Sequence, residues 1–395
     1  MHPAPGGAWT AVVAAVVLAA AAAVGPGAAD PEPLRIGLVR YHRGVGQVTV
    51  LGSSDFVVLD PAGGRLASSS SLEPITLSAD GAAIVLKRAS GAFARVPKKV
   101  VVQTKEPGAV ISVDSPGRVF RKYRGKLEIS LEEASLRLVN VIALEDYLLG
   151  VVPVEMPSGF PDEALKAQAV AARTYAAAKR GKHSALGYDL CDSRYCQVYD
   201  GQLAEHPACS RAVADTAGIV LTYEGRPAEA LYCGDCGGAT RCYAESNPGK
   251  DIPYLRGVTE PPGLAHACWE LSCSLAEIGE RLASAGVKHP AGLREIRVSE
   301  RDSSGRALAV NLVGESDVIS VTADRFRAAL GPDFRSTLFE VEHSADGIVG
   351  FRGKGSGHGY GMCQTGAKGL ALPPFNYTFD RILAHYYPGA TLSRH

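Results

Sequence analysis

Short runs of β-favouring residues, separated by clusters of Gly, Ser, Asp and Pro, fill the first part of the chain. Runs of this kind, bounded by turn residues, are typical of strands in an antiparallel arrangement. They predict a β-rich N-terminal region over residues 30–130, with strands at 34–38, 48–51, 56–59, 84–87, 100–103, 110–113 and 127–129. The region contains no catalytic constellation, so we interpret it as a structural or binding platform.

The remaining residues, 131–395, mix helices and strands without a regular repeat. The patterns predict a strand at 136–142, a short helix at 144–149, a hairpin of 219–223 with 230–233, a helix at 275–285, strands at 293–299 and 307–313, and a helix at 323–330. Such a mixture favours an α+β fold over a doubly wound sheet or a solenoid. We expect a mixed, antiparallel β-rich body with a few helices around a substrate groove.

An alanine-rich helix is predicted to begin near Pro161 and to end at 179–180, before Gly181. One face of it carries Leu165 and alanines, so the helix can approach its neighbour closely and form a wall behind Glu155. Its polar side offers three candidate substrate-binding residues, which are Gln168, Arg173 and Tyr175.

Glu155 lies in the segment V-P-V-E-M-P, between a valine and a methionine, with a proline beyond each. Because desolvation destabilises a carboxylate, this apolar frame favours the protonated acid. A carboxyl group that is protonated near neutral pH can donate its proton to a leaving oxygen, as cleavage of a glycosidic bond requires. Glu155 is therefore the candidate general acid. The alternatives are that it caps a helix or pairs with Arg173.

The first 29 residues resemble a leader. An apolar run over 11–24 is followed by small residues just before Asp30, which predicts a signal peptide over 1–29 with cleavage after Ala29. Positive charge before the run comes only from the amino terminus and His2, so an uncleaved membrane anchor is the alternative. Both interpretations place the folded part outside the cytoplasm, in the periplasm or the cell wall.

Composition narrows the class of partner. The chain has 395 residues, 46% of them hydrophobic, which is enough to bury a substantial core. Its 41 basic and 41 acidic residues give a formal net charge of zero, and no long run of Lys and Arg suggests a nucleic-acid partner. A neutral glycan polymer is compatible with this charge balance.

Nine cysteines lie between residues 191 and 363. In an exported protein they predict disulfides, and an odd count leaves at least one cysteine unpaired, metal-bound or bonded to another chain. Local pairing is expected within the groups Cys191/Cys196, Cys233/Cys236/Cys242 and Cys268/Cys273. The C-x4-C spacing of the first group, with His183 upstream, also permits a structural zinc.

Several separated motifs resemble the family of stage II sporulation protein D and the amidase-enhancer proteins, and they occur in the family's order. The resemblance covers roughly 34–392, and several motifs in sequence are more specific than any single one. The motifs are the stretch over 143–178, Y-D-L-C-D-S-R-Y-C-Q-V-Y over 188–199, C-G-G-A-T, G-K-G-S-G-H-G-Y-G-M-C-Q-T-G-A over 353–367, and H-Y-Y-P-G over 385–389.

The resemblance implies an exported peptidoglycan lytic transglycosylase whose catalytic region spans 131–395. Such an enzyme cleaves MurNAc–GlcNAc bonds and leaves 1,6-anhydromuramyl products, with the glutamate of V-E-M-P, here Glu155, as the essential residue. The chain departs from the family at Cys363 and Thr365, where Ser and Tyr are usual. The family's motifs further imply substrate-binding roles for Tyr232, Gly237, Gly238, Thr240 and Gln364. His358 lies in a loop with five glycines, where backbone can approach a ligand closely, and it could donate to a sugar hydroxyl or support Glu155. The alternative is that His358 is hydrogen-bonded within a tight turn.

The resemblance leaves a second function open, because amidase enhancers share much of the pattern. That alternative is a noncatalytic peptidoglycan-binding activator of an N-acetylmuramoyl-L-alanine amidase. A hydrolysing muramidase would need a second acid, and no equally specific motif supplies one. The expected partners are glycan strands and, for the alternative, a cell-wall amidase. No cofactor is required, although some members resemble this chain in binding zinc through one His and two Cys, here His183, Cys191 and Cys196.

Overall fold

The structure, a computed structural model, describes residues 32–344 and 347–394, and the account below concerns the compact unit that begins at Pro33. The predicted signal peptide and its cleavage after Ala29 lie outside the described residues. Within the described ranges, no helix is both long enough and apolar enough to span a membrane.

The secondary structure is β-rich and mixed, which confirms the α+β class. The strands are β1 Leu34–Gly37, β2 Gln47–Gly52, β3 Phe56–Leu59, β4 Arg65–Ser69, β5 Ile75–Asp80, β6 Ala83–Arg88, β7 Gly91–Pro97, β8 Lys99–Thr104, β9 Ile111–Asp114, β10 Arg121–Tyr123, β11 Lys126–Glu132, β12 Ser135–Ile142, β13 Leu190–Cys191, β14 Ile219–Tyr223, β15 Arg226–Pro227, β16 Tyr232–Cys233, β17 Cys268–Ser274, β18 Glu295–Arg301, β19 Ala307–Val313, β20 Val318–Thr322, β21 Phe339–His343, β22 Ile348–Lys354, β23 Met362–Cys363 and β24 Thr391–Arg394. The helices are α1 Leu144–Leu149, α2 Val152–Glu155, α3 Asp162–Ala178, α4 Pro207–Asp215, α5 Tyr243–Ser246, α6 Leu275–Ser284, α7 Ala323–Leu330, α8 Gln364–Ala371 and α9 Phe379–Tyr386.

Two large sheets carry the N-terminal region. One has the strand order β13-β1-β12-β11-β8-β3-β4 and the other β10-β9-β2-β5-β6-β7. Alternation of buried and partly exposed side chains along β8, where Val100 and Val102 are fully buried, shows the period of two expected of a strand with one face on the core. The seven predicted N-terminal strands are all found. The sequence analysis missed β4, β5, β7 and β10.

The alanine-rich helix α3 is the centre of the helical part. Pro161 precedes its first residue. The helix ends at Ala178 with Lys179 as its C-cap, one residue before the predicted end. All of its side chains between 164 and 176 except that of Lys166 are buried, and the helix contacts α4, α8, α9 and β14. Small side chains allow this close packing on several sides, and the same hydrophobic core takes in the strands of the N-terminal region.

A second, separate core lies between β16 and β23 in the sequence. Strands β17 to β22 and helices α6 and α7 enclose it, and its centre is a group of touching aromatic rings with centroids 4.8 to 6.4 Å apart. These rings belong to Trp269, Phe326, Phe334, Phe339 and Phe351. The chain enters and leaves this part next to the glycine-rich segment at 353–361.

The predicted hairpin of 219–223 with 230–233 is wrong in its second strand. β14 pairs with the two-residue strand β15 and, on its other edge, with β24. Tyr232 and Cys233 instead form β16, which pairs in parallel with β23. Because parallel neighbours need a long connection, a local pattern of turn residues gives no sign of this pairing.

Candidate functional site

A cavity of about 840 Å³ lies where the separated motifs meet. Glu155, the C-terminal half of α3, the turn after β16 and the glycine-rich segment all contribute to its wall. The lining residues with polar or aromatic side chains are Arg40, Glu155, Tyr175, Lys179, Lys182, Arg194, Tyr195, Cys196, Glu229, Tyr232, Cys233, Tyr243, Asn247, Ser356, His358 and Tyr360.

Glu155 is the last residue of α2 and faces this cavity. Its Oε1 atom accepts the backbone N–H of Val198 at 2.7 Å. Burial raises the pKa of the carboxyl group above its usual value, against the opposing effects of that hydrogen bond and of the charges of Arg194 and Arg40. The carboxyl group is thus favoured in its protonated form to a higher pH than an ordinary glutamate.

The alternative that Glu155 pairs with Arg173 does not hold in the structure. Arg173 is fully buried on the other side of α3, where its guanidinium group forms two hydrogen bonds of 2.7 Å with Glu145. Further hydrogen bonds join it to the carbonyl groups of Val213 and Ile219. Arg173 therefore does not line the cavity, contrary to its predicted place at the substrate. Its partner is Glu145, in the first turn of α1.

Tyr232 is held beside Glu155 by a buried amide. Gln197 donates from Nε2 to the Tyr232 hydroxyl at 3.0 Å and to the carbonyl of Ala172 at 3.2 Å. The Tyr232 hydroxyl in turn lowers the pKa of Glu155 by hydrogen bonding, although burial has the larger effect. Gln197 lies in the motif C-Q-V-Y, yet the sequence analysis did not single it out, because nothing in the pattern showed which way its side chain points.

The parallel pairing of β16 with β23 joins the cysteine-rich turn to the glycine-rich segment. Tyr232 is opposite Met362 in the register, and Asp235 bridges to Ser356. Gly361 has a φ of 66°, and a Cβ atom there would collide with the carbonyl of Leu231. Glycine is therefore required at Gly361, because the two segments approach more closely than any side chain allows.

His358 and Glu155 are far apart in the sequence, but both line the same cavity. Its Nδ1 atom accepts the backbone N–H of Tyr360 at 3.0 Å. Burial lowers the pKa of the imidazole to about 4, and the charges of Arg327 and Arg306 contribute. The ring is thus neutral near pH 7, and with Nδ1 as acceptor its proton is on Nε2, which can donate to a ligand.

The other predicted substrate-binding residues divide into two groups. Tyr175 lines the cavity with Tyr232 and His358. Gln168 and Gln364 are buried and do not line the cavity; Gln364 Nε2 donates to Gln168 Oε1 at 3.2 Å. Gly237, Gly238 and Thr240 do not line the cavity either. Thr240 instead exchanges hydrogen bonds with the backbone of Val258. Glycines in this turn serve its backbone geometry, since Gly237 and Gly238 have φ values of 78° and 117°.

The sequence analysis missed the basic and aromatic lining of the cavity. Arg40 comes from the N-terminal region, more than a hundred residues before Glu155, and Lys182, Arg194 and Tyr195 come from the loop after α3. Tyr195 is 70% exposed, and Lys182 lies over its ring at 4.2 Å. Such residues carry no local pattern of their own, because only the folded arrangement brings them to one wall.

His183, Cys191 and Cys196 come together at the edge of the same cavity. Their ligand atoms lie within 4.8 Å of one another, and His183 Nε2 is 3.2 Å from Cys196 Sγ. Hydrogen bonding with Cys196 lowers the pKa of Cys191 to about 5. All nine cysteines belong to the described residues and are free thiols there, so the predicted local disulfides are not found.

Comparisons with known proteins agree with the motifs. Residues 132–223 match the family described as "Stage II sporulation protein", and residues 253–361, which hold most of the second core, match a domain of unknown function. Stage II sporulation protein D of Bacillus subtilis is 30% identical over 278 residues, which cover 65% of this chain and 76% of that protein. An uncharacterised protein of Brachyspira hyodysenteriae is 35% identical over 274 residues, or 69% and 72% of the two chains.

A further relative carries another name. The "Amidase enhancer" of Bacillus subtilis is 30% identical over 296 residues, which cover 62% of this chain and 40% of that protein. The resemblance drawn from the sequence motifs is therefore confirmed at the level of the family. The identity and coverage with the sporulation protein, together with the family match around Glu155, show that this chain belongs to the stage II sporulation protein D family.

Proposed function

We propose that the protein is an exported peptidoglycan lytic transglycosylase that cleaves MurNAc–GlcNAc bonds, with Glu155 as its catalytic residue. The observation that carries the proposal is a protonatable carboxyl group in a cavity formed by the family's own motifs. Tyrosines and hydrogen-bonding groups around it suit the faces and hydroxyl groups of sugars. Location outside the cytoplasm follows from the predicted leader and stays part of the proposal.

In the first step Glu155 acts as a general acid. It donates its proton to the glycosidic oxygen while the bond from that oxygen to the muramyl anomeric carbon breaks. The leaving sugar departs with a free 4-hydroxyl group, and Glu155 is left as a carboxylate. The raised pKa of Glu155 serves this step, because the acid must hold its proton in the resting enzyme.

In the second step the same carboxylate acts as a base. It takes the proton from the 6-hydroxyl of the muramyl residue, whose oxygen attacks its own anomeric carbon and closes the 1,6-anhydro ring. One bond to the anomeric carbon has been exchanged for another, and Glu155 has its proton again. No water is consumed.

The second carboxylate on the cavity wall is unsuited to a hydrolytic role. Glu229 forms an ion pair of 2.5 Å with Lys179, whereas Glu155 has no ion pair among the described residues. A hydrolase needs a second carboxylate free to activate water or to attack the anomeric carbon. The intramolecular attack needs only one such group, which favours the transglycosylase.

A second cavity, of about 870 Å³, lengthens the binding surface. It shares Arg194 and Ser356 with the first and is otherwise lined by residues near α7, including Arg327 and Arg335. Two adjoining cavities suit a polymer better than a small ligand. The basic side chains along the two cavities can bind the carboxylates of stem peptides, which are the charged part of peptidoglycan.

A zinc ion at His183, Cys191 and Cys196 is part of the proposal. One nitrogen and two sulfurs within 4.8 Å of one another fit the ligands that zinc prefers. When bound there, the metal would supply a structural clamp on the loop after α3. That loop carries Arg194 and Tyr195, which line the cavity.

The test is the chemical nature of the products. We expect the purified protein, incubated with glycan strands, to release fragments with 1,6-anhydromuramyl ends, which are lighter than hydrolysis products by one water and resist borohydride reduction. Mass spectrometry before and after reduction separates the two. Reducible ends would assign the chain to the hydrolases. Release of no fragments, combined with stimulation of a purified amidase, would favour the alternative that the relative's name "Amidase enhancer" suggests.

The pH profile of glycan cleavage is a second expected outcome. Glu155 must be protonated at the start, so kcat/KM falls as the pH rises through its pKa, which burial places above the ordinary value of about 4.3 for glutamate. Replacing Arg194 by Gln removes a positive charge that lowers this pKa, so we expect the alkaline limb to move to higher pH. If the alkaline limb does not move in Arg194→Gln, a group other than Glu155 is responsible for it.

A further inference from the structure

A second group of metal-binding side chains lies away from the cavity wall, on segments far apart in the sequence. Cys236 follows β16, Glu260 and His266 precede β17, and Cys363 ends β23. One ligand atom from each lies within 4.8 Å of all the others. We propose that these four residues bind a zinc ion that fastens the glycine-rich segment to the turn after β16.

The imidazole of His266 is oriented as a metal ligand. Its Nδ1 atom is 2.7 Å from Asp235 Oδ1, and Asp235 is itself fixed by the backbone N–H groups of Gly237 and Ala267 at 2.8 Å. Donation of the Nδ1 proton to this carboxylate leaves the lone pair on Nε2, which lies 2.9 Å from Glu260 Oε2. Histidines that bind metals characteristically donate their second ring N–H to a carboxylate in this way.

Glu260 supplies a buried carboxylate oxygen that faces His266. Its Oε1 atom accepts the Tyr386 hydroxyl at 2.5 Å. Its Oε2 atom is 2.9 Å from His266 Nε2 and accepts no hydrogen bond of good geometry among the described residues, and the side chain is only 1% exposed. A buried carboxylate oxygen without a partner costs free energy. A cation among the four ligands would compensate this charge.

The sulfur atoms of Cys236 and Cys363 both accept backbone hydrogen bonds. Cys363 Sγ accepts the N–H groups of Cys236 at 3.1 Å and of Gly366 at 3.2 Å, and Cys236 Sγ accepts that of Gly238 at 3.4 Å. Cys363 also precedes α8, where the positive end of the helix dipole stabilises a negative sulfur. The backbone thus directs N–H groups at both sulfur positions.

The donor set identifies the metal. Two thiolates, one imidazole and one carboxylate match four-coordinate zinc and exclude calcium and magnesium, which take oxygen ligands. Zn–S bonds of about 2.3 Å in a tetrahedron place two sulfurs about 3.8 Å apart, within the 4.8 Å that already holds the four ligand atoms. Four protein ligands fill the coordination sphere, so we assign a structural role.

The position of the site explains what the metal would do. Cys363 is opposite Cys233 in the parallel register of β16 and β23. Tyr232, the other residue of β16, lines the cavity, as do residues 356–358 of the glycine-rich segment before β23. The inference concerns metal binding and does not depend on the reaction at Glu155.

The experiment compares the metal content of four proteins by elemental analysis after exhaustive dialysis. The paired variant Cys236→Ser/Cys363→Ser should contain one zinc per chain fewer than the wild type. The variant Cys191→Ser/Cys196→Ser, which removes the other cysteine pair, should keep the zinc at Cys236 and Cys363. Cys209→Ser is the matched control, because Cys209 is buried outside both groups and its loss should change nothing.

Two results would overturn the proposal. One is equal zinc content in the wild type and Cys236→Ser/Cys363→Ser; the other is a Cys236–Cys363 disulfide in peptide maps of the protein as purified. Should the paired variant fail to fold, Cys191→Ser/Cys196→Ser decides alone. One equivalent of Co²⁺ should then give the thiolate charge-transfer band and the intense visible bands of a tetrahedral site, and their absence would refute the assignment.

Discussion

Replacing Glu155 by Gln abolishes glycan cleavage if the proposed chemistry is right, while the protein still folds and still binds glycan. The amide keeps the shape of the side chain and can accept the N–H of Val198, but it has no acidic proton to donate. Loss of a general acid costs about 10²-fold to 10⁴-fold in rate, and Glu155 has both proton-transfer steps to perform. The measurement is the rate of release of anhydromuramyl fragments.

Glu229→Gln is the matched control for Glu155→Gln. Glu229 lines the same cavity but is neutralised by Lys179, so its loss should leave the end groups of the products unchanged and reduce the rate far less. If Glu229→Gln is as inactive as Glu155→Gln, both carboxylates take part in the reaction, and this result would favour a hydrolytic mechanism. If wild type and Glu155→Gln both fail to release fragments yet both stimulate an amidase, the catalytic proposal fails.

Stability gives a second control on Glu155→Gln. A carboxyl group whose pKa is raised in the folded state stabilises that state only while it is protonated, and this contribution is lost as the pH rises through the raised pKa. The amide carries no such penalty. We therefore expect the denaturant midpoint of Glu155→Gln at pH 8 to equal or exceed that of the wild type, as is common for residues held at a cost to folding. A midpoint below that of the wild type would show that the substitution destabilises the fold, and loss of folded protein would then explain the inactivity.

The cavity was predictable from the sequence as a set of motifs, although its walls were not. Glu155, Tyr175, Tyr232 and His358 belong to segments whose composition is unusual, and the structure brings all four to one cavity. Arg173 stands in the same helix pattern as Tyr175, two positions away. That spacing turns its side chain to the opposite side of α3, where Glu145 holds it, and a polar residue on a helix does not reveal which neighbour it will meet.

Long-range pairing explains the other differences. The predicted hairpin failed because Tyr232 finds its strand partner 130 residues later, at Met362, a contact that carries no local turn pattern. Conversely, β19 and α7 have the predicted bounds, since alternation and helical periodicity are local properties. The cysteines show the same difference between local patterns and long-range contacts. Spacing drew attention to Cys191 and Cys196, whereas Cys236 and Cys363 meet only through the fold.

Replacing Glu145 by Ala is the change with the largest expected effect on stability. The guanidinium group of Arg173 is only 1% exposed, and without Glu145 it would remain buried with carbonyl and hydroxyl partners alone. Breaking a buried ion pair by removing one partner costs about 3 to 5 kcal/mol, and since the Glu145 side chain is 41% exposed we expect the lower end, about 3 kcal/mol. Denaturant unfolding followed by circular dichroism measures it.

Glu315→Ala supplies the comparison, because its ion pair with Arg294 is 64% exposed on both sides and such pairs contribute about 0 to 1 kcal/mol. In the double variant Glu145→Ala/Arg173→Met no unpaired charge remains buried, so we expect stability to recover in part relative to Glu145→Ala. This recovery separates a structural role of Arg173 from a role at the substrate. If Glu145→Ala unfolds like the wild type but loses affinity for glycan strands, Arg173 acts in binding, as its place in the sequence motif predicts.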